Sequence, residues 1–193
     1  MNDLGFDISS GDGVVDWQLA ASHDIRFATI RATIGTNAID PRYGINMAGA
    51  QAAGIKRMPY HWLNPRLDHI AQAHWFADHA QTAELGLMVD LEDSGLYYKG
   101  YHGIWSKIKA FCDIANVNNI YVSPSYIKSY LYDCPDLNKY NILIANWDCA
   151  APGYARPMET TRWWAWQYTG KAYGPYYGIQ ALDAALYVAN GEV

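Results

Sequence analysis

The segment Leu87-Met88-Val89-Asp90-Leu91-Glu92-Asp93 ends an apolar run with two carboxylates spaced two residues apart. In an extended strand side chains alternate, so Asp90 and Glu92 share one face while Val89 and Leu91 take the other. Carboxyl groups held that close compete for ionisation, and partial burial raises the pKa of one of them. The result is a proton donor beside an anion, the pair that cleavage of a glycosidic bond requires. A strand that merely ends in solvated acids has the same local sequence, so the pair needs further polar groups around it.

Those groups recur at the ends of other apolar runs. Asp7 closes Gly5-Phe6-Asp7-Ile8-Ser9, where turn capping is its competing role. Arg31, Tyr60-His61, Tyr121 with Ser123, Asn146-Trp147, Gln167-Tyr168 and Asp183 stand at comparable places. Alternation along Trp163-Trp164-Ala165-Trp166-Gln167-Tyr168 puts Trp166 and Tyr168 on one face, a candidate platform for a sugar ring, with Trp163 or Trp164 left to pack the wall. The 16 Tyr and 8 Trp against 4 Phe favour rings with a polar edge, which suit wet interfaces and sugar faces as well as ordinary cores.

Positioning these groups requires a particular scaffold. Short runs rich in Ile, Val and aromatics alternate with amphipathic stretches, the pattern of βαβ units around a parallel sheet. Strands are expected near Leu4–Ser9, Arg26–Thr33, Ile55–Leu63, Gly86–Glu92, Asn119–Ser123, Ile142–Trp147, Arg162–Thr169 and Ala181–Val188. Helices fit Tyr43–Ala53, Asp68–Leu85, Ile104–Ala115 and Pro124–Tyr132, and Gly170–Gly178 reads as a loop. Eight strands with four or five helices in 193 residues fall short of the about 250 residues of a full (β/α)8 barrel. The expected fold is therefore an α/β, TIM-like (β/α) barrel with a reduced helix complement, one domain over residues 1–193. In such barrels sites form at the C-terminal ends of the strands, where all the polar groups above fall.

A net charge of −5 without any Lys/Arg run lacks the basic stripe that nucleic acid demands. Cys112, Cys134 and Cys149 form no CxxC pair and are expected as buried free thiols. The start, Met1-Asn2-Asp3-Leu4-Gly5, has neither the basic nor the apolar region of a signal peptide, so synthesis in the cytoplasm without an export signal or a membrane anchor is expected.

Taken in order, these residues resemble glycoside hydrolase family 25, the phage and bacterial muramidases. The matching pieces are Gly5-Phe6-Asp7-Ile8-Ser9, Val15-Asp16-Trp17, Phe27-Ala28-Thr29-Ile30-Arg31-Ala32-Thr33, Asp40, Tyr43, Asn46, Ala50 and Ala53-Gly54-Ile55. They continue through Tyr60-His61, Asp90-Leu91-Glu92, Ile144-Ala145-Asn146-Trp147, Trp166-Gln167-Tyr168 and Asp183. After Tyr168 the sequence departs from the family pattern: Asp183 lies among alanines where the family often shows Asp-x-Asn.

The resemblance implies a flattened eight-stranded barrel that hydrolyses the β-1,4 bond between N-acetylmuramic acid and N-acetylglucosamine of bacterial peptidoglycan. By position it makes Glu92 the general acid and Asp90 its partner, with Asp7 and Asp183 as flanking acids of the same cleft. Tyr60, His61, Tyr121, Asn146, Trp147, Trp166, Gln167, Tyr168 and Arg31 are expected to line the substrate groove, without cofactor or metal. Asp90 is read as orienting the C2 acetamido group in substrate-assisted cleavage, with direct action as nucleophile or base the alternative. The setting it implies is that of an endolysin catalytic region, acting on the wall after the membrane is breached and often joined to a wall-binding domain absent from this chain. Two other classes stay open: an inactive glycan-binding module, and a metal-dependent amidase or deacetylase in which Asp7, Asp90, Glu92, Asp183 and His61 hold a divalent cation.

Overall fold

The computed structural model describes residues 3–92, 101–131, 134, 136–147, 163–181 and 183–189. Nine strands lie in one sheet: β1 (Leu4–Ile8), β2 (Ile25–Ile34), β3 (Ala38–Ile39), β4 (Lys56–Trp62), β5 (Met88–Leu91), β6 (Asn119–Val122), β7 (Asn141–Ala145), β8 (Trp163–Tyr173) and β9 (Asp183–Ala189). Pairing of β1 with both β2 and β9 closes eight of them into a barrel, and the two-residue β3 hangs on β2.

The expected eight strands are all present, yet not all are parallel. Strand β9 runs antiparallel to both β8 and β1. The reason is local: β8 continues through Tyr173 and, with the 3-10 turn Gly174–Tyr177, hands the chain back as a hairpin where a loop was expected. A hairpin needs no crossover helix, so a closed barrel fits in 193 residues.

The helices are α1 (Trp17–Ser22), α2 (Tyr43–Ala52), α3 (His69–His79), α4 (Tyr101–Ala115) and α5 (Pro124–Tyr126), the last running into a π turn over Ile127–Leu131. Asp16 and Asp68 cap α1 and α3 by accepting from the backbone N–H of Leu19 and Ala71 at 3.0 and 2.7 Å. Helix α1 was not anticipated, because six residues carry too little periodicity to recognise. Helix α3 ends one and a half turns before the expected Leu85. The following residues are claimed by tertiary partners: Gln81 N–H donates to the Tyr43 hydroxyl at 2.8 Å, and Glu84 accepts from Arg57 Nε at 3.0 Å.

Apolar packing falls into two layers on either side of the barrel wall. Between wall and helices lie Ile8, Ile30, Val89, Ile120, Ile144 and Trp166 with Phe76, Ile108 and Phe111. Inside lie Phe27, Met58, Met88, Leu143, Ala165 and Tyr187. Gly5 makes the inner floor possible, since a Cβ there would lie 2.4 Å from the Phe27 ring. Among the described cysteines Cys112 is a buried thiol and Cys134 is half-buried; Cys149 lies outside the described residues. No described helix is long and apolar enough to cross a membrane.

Candidate active site

Above the apolar plug the inward side chains turn polar. Register carries this layer around the wall: Asp7 pairs with Thr29, Arg31 with Tyr60, Trp62 with Asp90, Asp90 with Tyr121, and Gln167 with Tyr187. Asp7 and Asp90, on strands separated by β2 and β4, thus open onto one mouth together with Glu92.

Each acid has a different environment. Asp7 accepts from the Thr29 hydroxyl at 2.5 Å and from Tyr60 at 3.4 Å, and Thr29 is in turn hydrogen-bonded by Tyr187. Burial pushes the Asp7 carboxyl up to about 7, against the Thr29 bond, with Asp12 and Glu92 adding like-charge repulsion. Asp90 is buried and its Oδ1 meets no hydrogen-bond partner among the described residues. Its pKa lies well above the ordinary carboxylate value, first through burial, then through the charges of Glu92 and Asp7. Glu92 reaches solvent at the mouth, yet partial burial of its carboxyl still raises its pKa, opposed by a hydrogen bond with Tyr121. Three carboxyl groups this close release their protons in sequence, so the cluster retains a proton well above the ordinary carboxylate range.

Glu92 stands between two lobes of one groove. The narrower, about 280 Å³, is lined by Asp7, Ser9, Asp12, Arg31, Tyr60, Trp62 and Asp90 as well as Glu92. The wider, about 580 Å³, is lined on its far side by Tyr121, Ser125, Asn146 and Trp147. Arg31 is the cation of the narrow lobe, and it is committed: its Nε donates to Asp40 at 2.9 Å and its Nη2 to Ser10 at 3.3 Å.

Of the residues expected to form the groove, Asp7, Asp90, Glu92, Tyr60 and Arg31 meet in the narrow lobe, and Tyr121, Asn146 and Trp147 in the wide one. Gln167 lies just behind, buried, accepting at Oε1 from Tyr121 and from Trp147 Nε1, both at 2.7 Å. His61 is not in the mouth. It is fully buried on the helix side of the wall, its Nδ1 2.7 Å from Thr33 Oγ1 and its Nε2 3.2 Å from Gln72 Oε1, against the Phe76 and Phe111 rings.

Trp166 and Tyr168 do share a face, but it is the outer one. Trp166 is 2% exposed within the outer core and Tyr168 packs beside it at 5.9 Å between ring centroids. A bulge at Trp164 breaks the alternation, so Trp164 joins Ala165 inside, against Phe27, while Trp166 stays outside. The exposed flat ring at the groove is Trp147 instead. Asp183 begins β9 opposite Tyr173, and its side chain lies outside the described residues.

In the narrow lobe Asp12 and Trp62 were not anticipated. Asp12 accepts from the Ser9 backbone and hydroxyl at 2.7 and 2.9 Å, and the Ser9-x-x-Asp12 spacing of this capping box was its signal. Trp62 is the inward neighbour of Tyr60 two residues on, which alternation alone could have found.

A closed barrel with clustered carboxyl groups at its C-terminal mouth, one of them bordering two lobes of a groove, is an arrangement on which barrel glycosidases can build their chemistry. The chain belongs to glycosyl hydrolases family 25, whose sequence profile matches residues 6–175. It is similar to Lysozyme M1 of Streptomyces globisporus, 40% identical over 74 residues that make up 38% of this chain and 25% of that protein. Among solved structures, the bacterial lysozyme from Streptomyces coelicolor aligns with a TM-score of 0.82 at 25% identity, over 100% of this chain and 94% of the other. The catalytic domain of endolysin ply40 from bacteriophage P40 of Listeria monocytogenes shares the fold, with a TM-score of 0.77, 21% identity and coverage of 99% and 94%.

Proposed function

We propose that this chain hydrolyses the β-1,4 bond between N-acetylmuramic acid and N-acetylglucosamine in bacterial peptidoglycan, with Glu92 as general acid. The observation that carries the reading is the place of Glu92 on the border of two lobes: a sugar in each sets the bridging oxygen beside it. The lysozymes that this chain resembles in sequence and fold support the substrate class.

In the first step the Glu92 carboxyl gives its proton to the leaving oxygen while the C2 acetamido oxygen of the sugar in the narrow lobe attacks C1. The C1–O bond breaks and a cyclic oxazolinium forms. Asp90 holds the amide, its Oδ1 being a buried acceptor in need of an N–H. In the second step the Glu92 carboxylate takes a proton from water, which adds to C1, opens the ring and leaves the anomeric configuration retained. Trp147 supplies an apolar face to the leaving sugar in the wide lobe. Action on the wall follows breach of the membrane, as in an endolysin.

Incubation with purified cell walls, with and without EDTA, tests the reading. New reducing ends should appear equally in both arms and be N-acetylmuramic acid after borohydride labelling. Released acetate or freed amines that vanish with EDTA would identify a deacetylase or amidase, and wall binding without cleavage an inactive module. A covalent glycosyl ester on Asp90 trapped by mass spectrometry would replace substrate assistance with direct attack.

A further inference from the structure

Tyr121 has one hydroxyl proton and two neighbours that can take it. Its oxygen lies 2.7 Å from Gln167 Oε1, and it is also hydrogen-bonded with the Glu92 carboxyl. The orientation of the Gln167 amide is settled by Trp147, whose indole Nε1 can only donate and lies 2.7 Å from the same Oε1. Gln167 therefore presents a carbonyl oxygen, not an amide N–H, to Tyr121. It is 2% exposed, so water does not compete for this contact.

We propose that Gln167 is a positioning residue that sets the protonation state of Glu92 through the single proton of Tyr121. When Tyr121 donates to Gln167, only lone pairs face Glu92, and the carboxyl is satisfied by holding its own proton and donating it to Tyr121. When Glu92 has given that proton away, the Tyr121 hydroxyl turns and donates to the new carboxylate. Gln167 Oε1 is not orphaned by the turn, because Trp147 continues to donate to it. Either state leaves the Tyr121 hydroxyl, the Glu92 carboxyl and Gln167 Oε1 partnered, which keeps the switch inexpensive in free energy.

Among the described residues, the other charged and titratable groups around Glu92 are Asp7 on β1, Asp12 after it, Arg31 on β2, Tyr60 on β4, Asp90 on its own strand and Tyr187 on β9. None of these hydrogen-bonds Gln167, so a change at 167 reaches Glu92 through Tyr121 or Trp147.

The proposal rests on Glu92 being the acid, and the two are separated by reading Glu92 directly. Carboxyl carbon-13 NMR, assigned with Glu92→Gln, gives its pKa without reference to turnover. Gln167→Met keeps the volume and removes the acceptor, freeing Tyr121 to stay on the carboxylate; the Glu92 pKa and the alkaline limb of kcat/KM should both fall by about one pH unit. Gln167→Glu restores an acceptor and adds charge, and should move both upward. In a Tyr121→Phe background the Gln167→Met shift should vanish, and since that variant keeps the Trp147 loss, the difference isolates the Tyr121 path. A folded Gln167→Met protein with an unmoved Glu92 titration, or a shift undiminished without the Tyr121 hydroxyl, would overturn the relay. Turnover by Glu92→Gln with the relay intact in the NMR titration would instead overturn the assignment of the acid.

Discussion

Tyr60 and His61 are adjacent in β4 and serve opposite sides of the barrel wall: Tyr60 donates to Asp7 in the mouth, while His61 is sealed beneath α3 against Gln72. Gln72 Nε2 donates to the Asn64 carbonyl at 2.9 Å, which turns its Oε1 toward His61, so the imidazole donates from Nε2 and accepts from Thr33 at Nδ1. This is a structural triad with no route to substrate.

His61→Leu should accordingly lower stability by about 1–3 kcal/mol near neutral pH, from unpaired Thr33 and Gln72, with turnover per folded molecule unchanged. Burial holds the His61 pKa down at about 4, below its ordinary 6.5. An unfolded chain binds that proton from about 6.5 downward and the native one only near 4, so the wild type loses stability as pH falls through that window. Urea melts at pH 8 and pH 4.5 check the sign: the deficit of the variant should shrink at the lower pH.

Glu92→Gln should keep the melting temperature and reduce wall lysis by about 10²–10⁴-fold, since an amide has no proton to give to the leaving oxygen. Release of reducing ends measures it. Residual turnover near the wild-type rate would move the acid to Asp90 or Asp7.

Asp7→Asn retains an acceptor for Thr29 and removes the charge. The rate should fall at least about tenfold, roughly 1.4 kcal/mol of barrier, with a shifted pH–rate profile because Asp7 no longer repels charge on its neighbours. Stability should move the other way. An unfolded Asp loses its proton near 3.8 and the native Asp7 near 7, so the folded state is penalised as pH rises through that interval. The variant should therefore melt higher than the wild type at pH 8, by on the order of 1–4 kcal/mol, and about equally at pH 3.5.

Trp147→Ala and Trp166→Ala should separate cleanly. The first, at an exposed ring on the wide lobe, should raise KM for glycan fragments with little change in stability. The second empties a fully buried site whose Nε1 donates to the Asn146 carbonyl at 2.8 Å, and should cost about 3–5 kcal/mol. Isothermal titration with chitin-type oligosaccharides and thermal melts distinguish the two outcomes.

How much of this could be read beforehand depends on the range of the interaction. Strand positions were legible because the burial that shapes them is written in short apolar runs, and the mouth was legible because polar residues end those runs. Asp90 and Glu92 share a face for a reason contained in three consecutive residues. Two features that local pattern hides arise where alternation is broken by something distant. In β2 a bulge between Arg31 and Thr33 lets Arg31 stay inside while Thr33 turns outward to meet His61, a partner 28 residues away. In β8 the bulge at Trp164 does the same for Trp166 and Gln167. A bulge depends on how two strands must twist to close the barrel, and that requirement belongs to the whole wall.

The sequence by itself determined the set of strands, the acids available and the end of the barrel at which they would gather, because these follow from local pattern and chain length. The tertiary structure alone decided which side of the wall His61 and Trp166 serve, the antiparallel return of β9, and the hydrogen bonds that tie Asp7 to Thr29 and Tyr60. Those outcomes depend on closure between β1 and its two neighbours, a contact between chain ends that no local window contains.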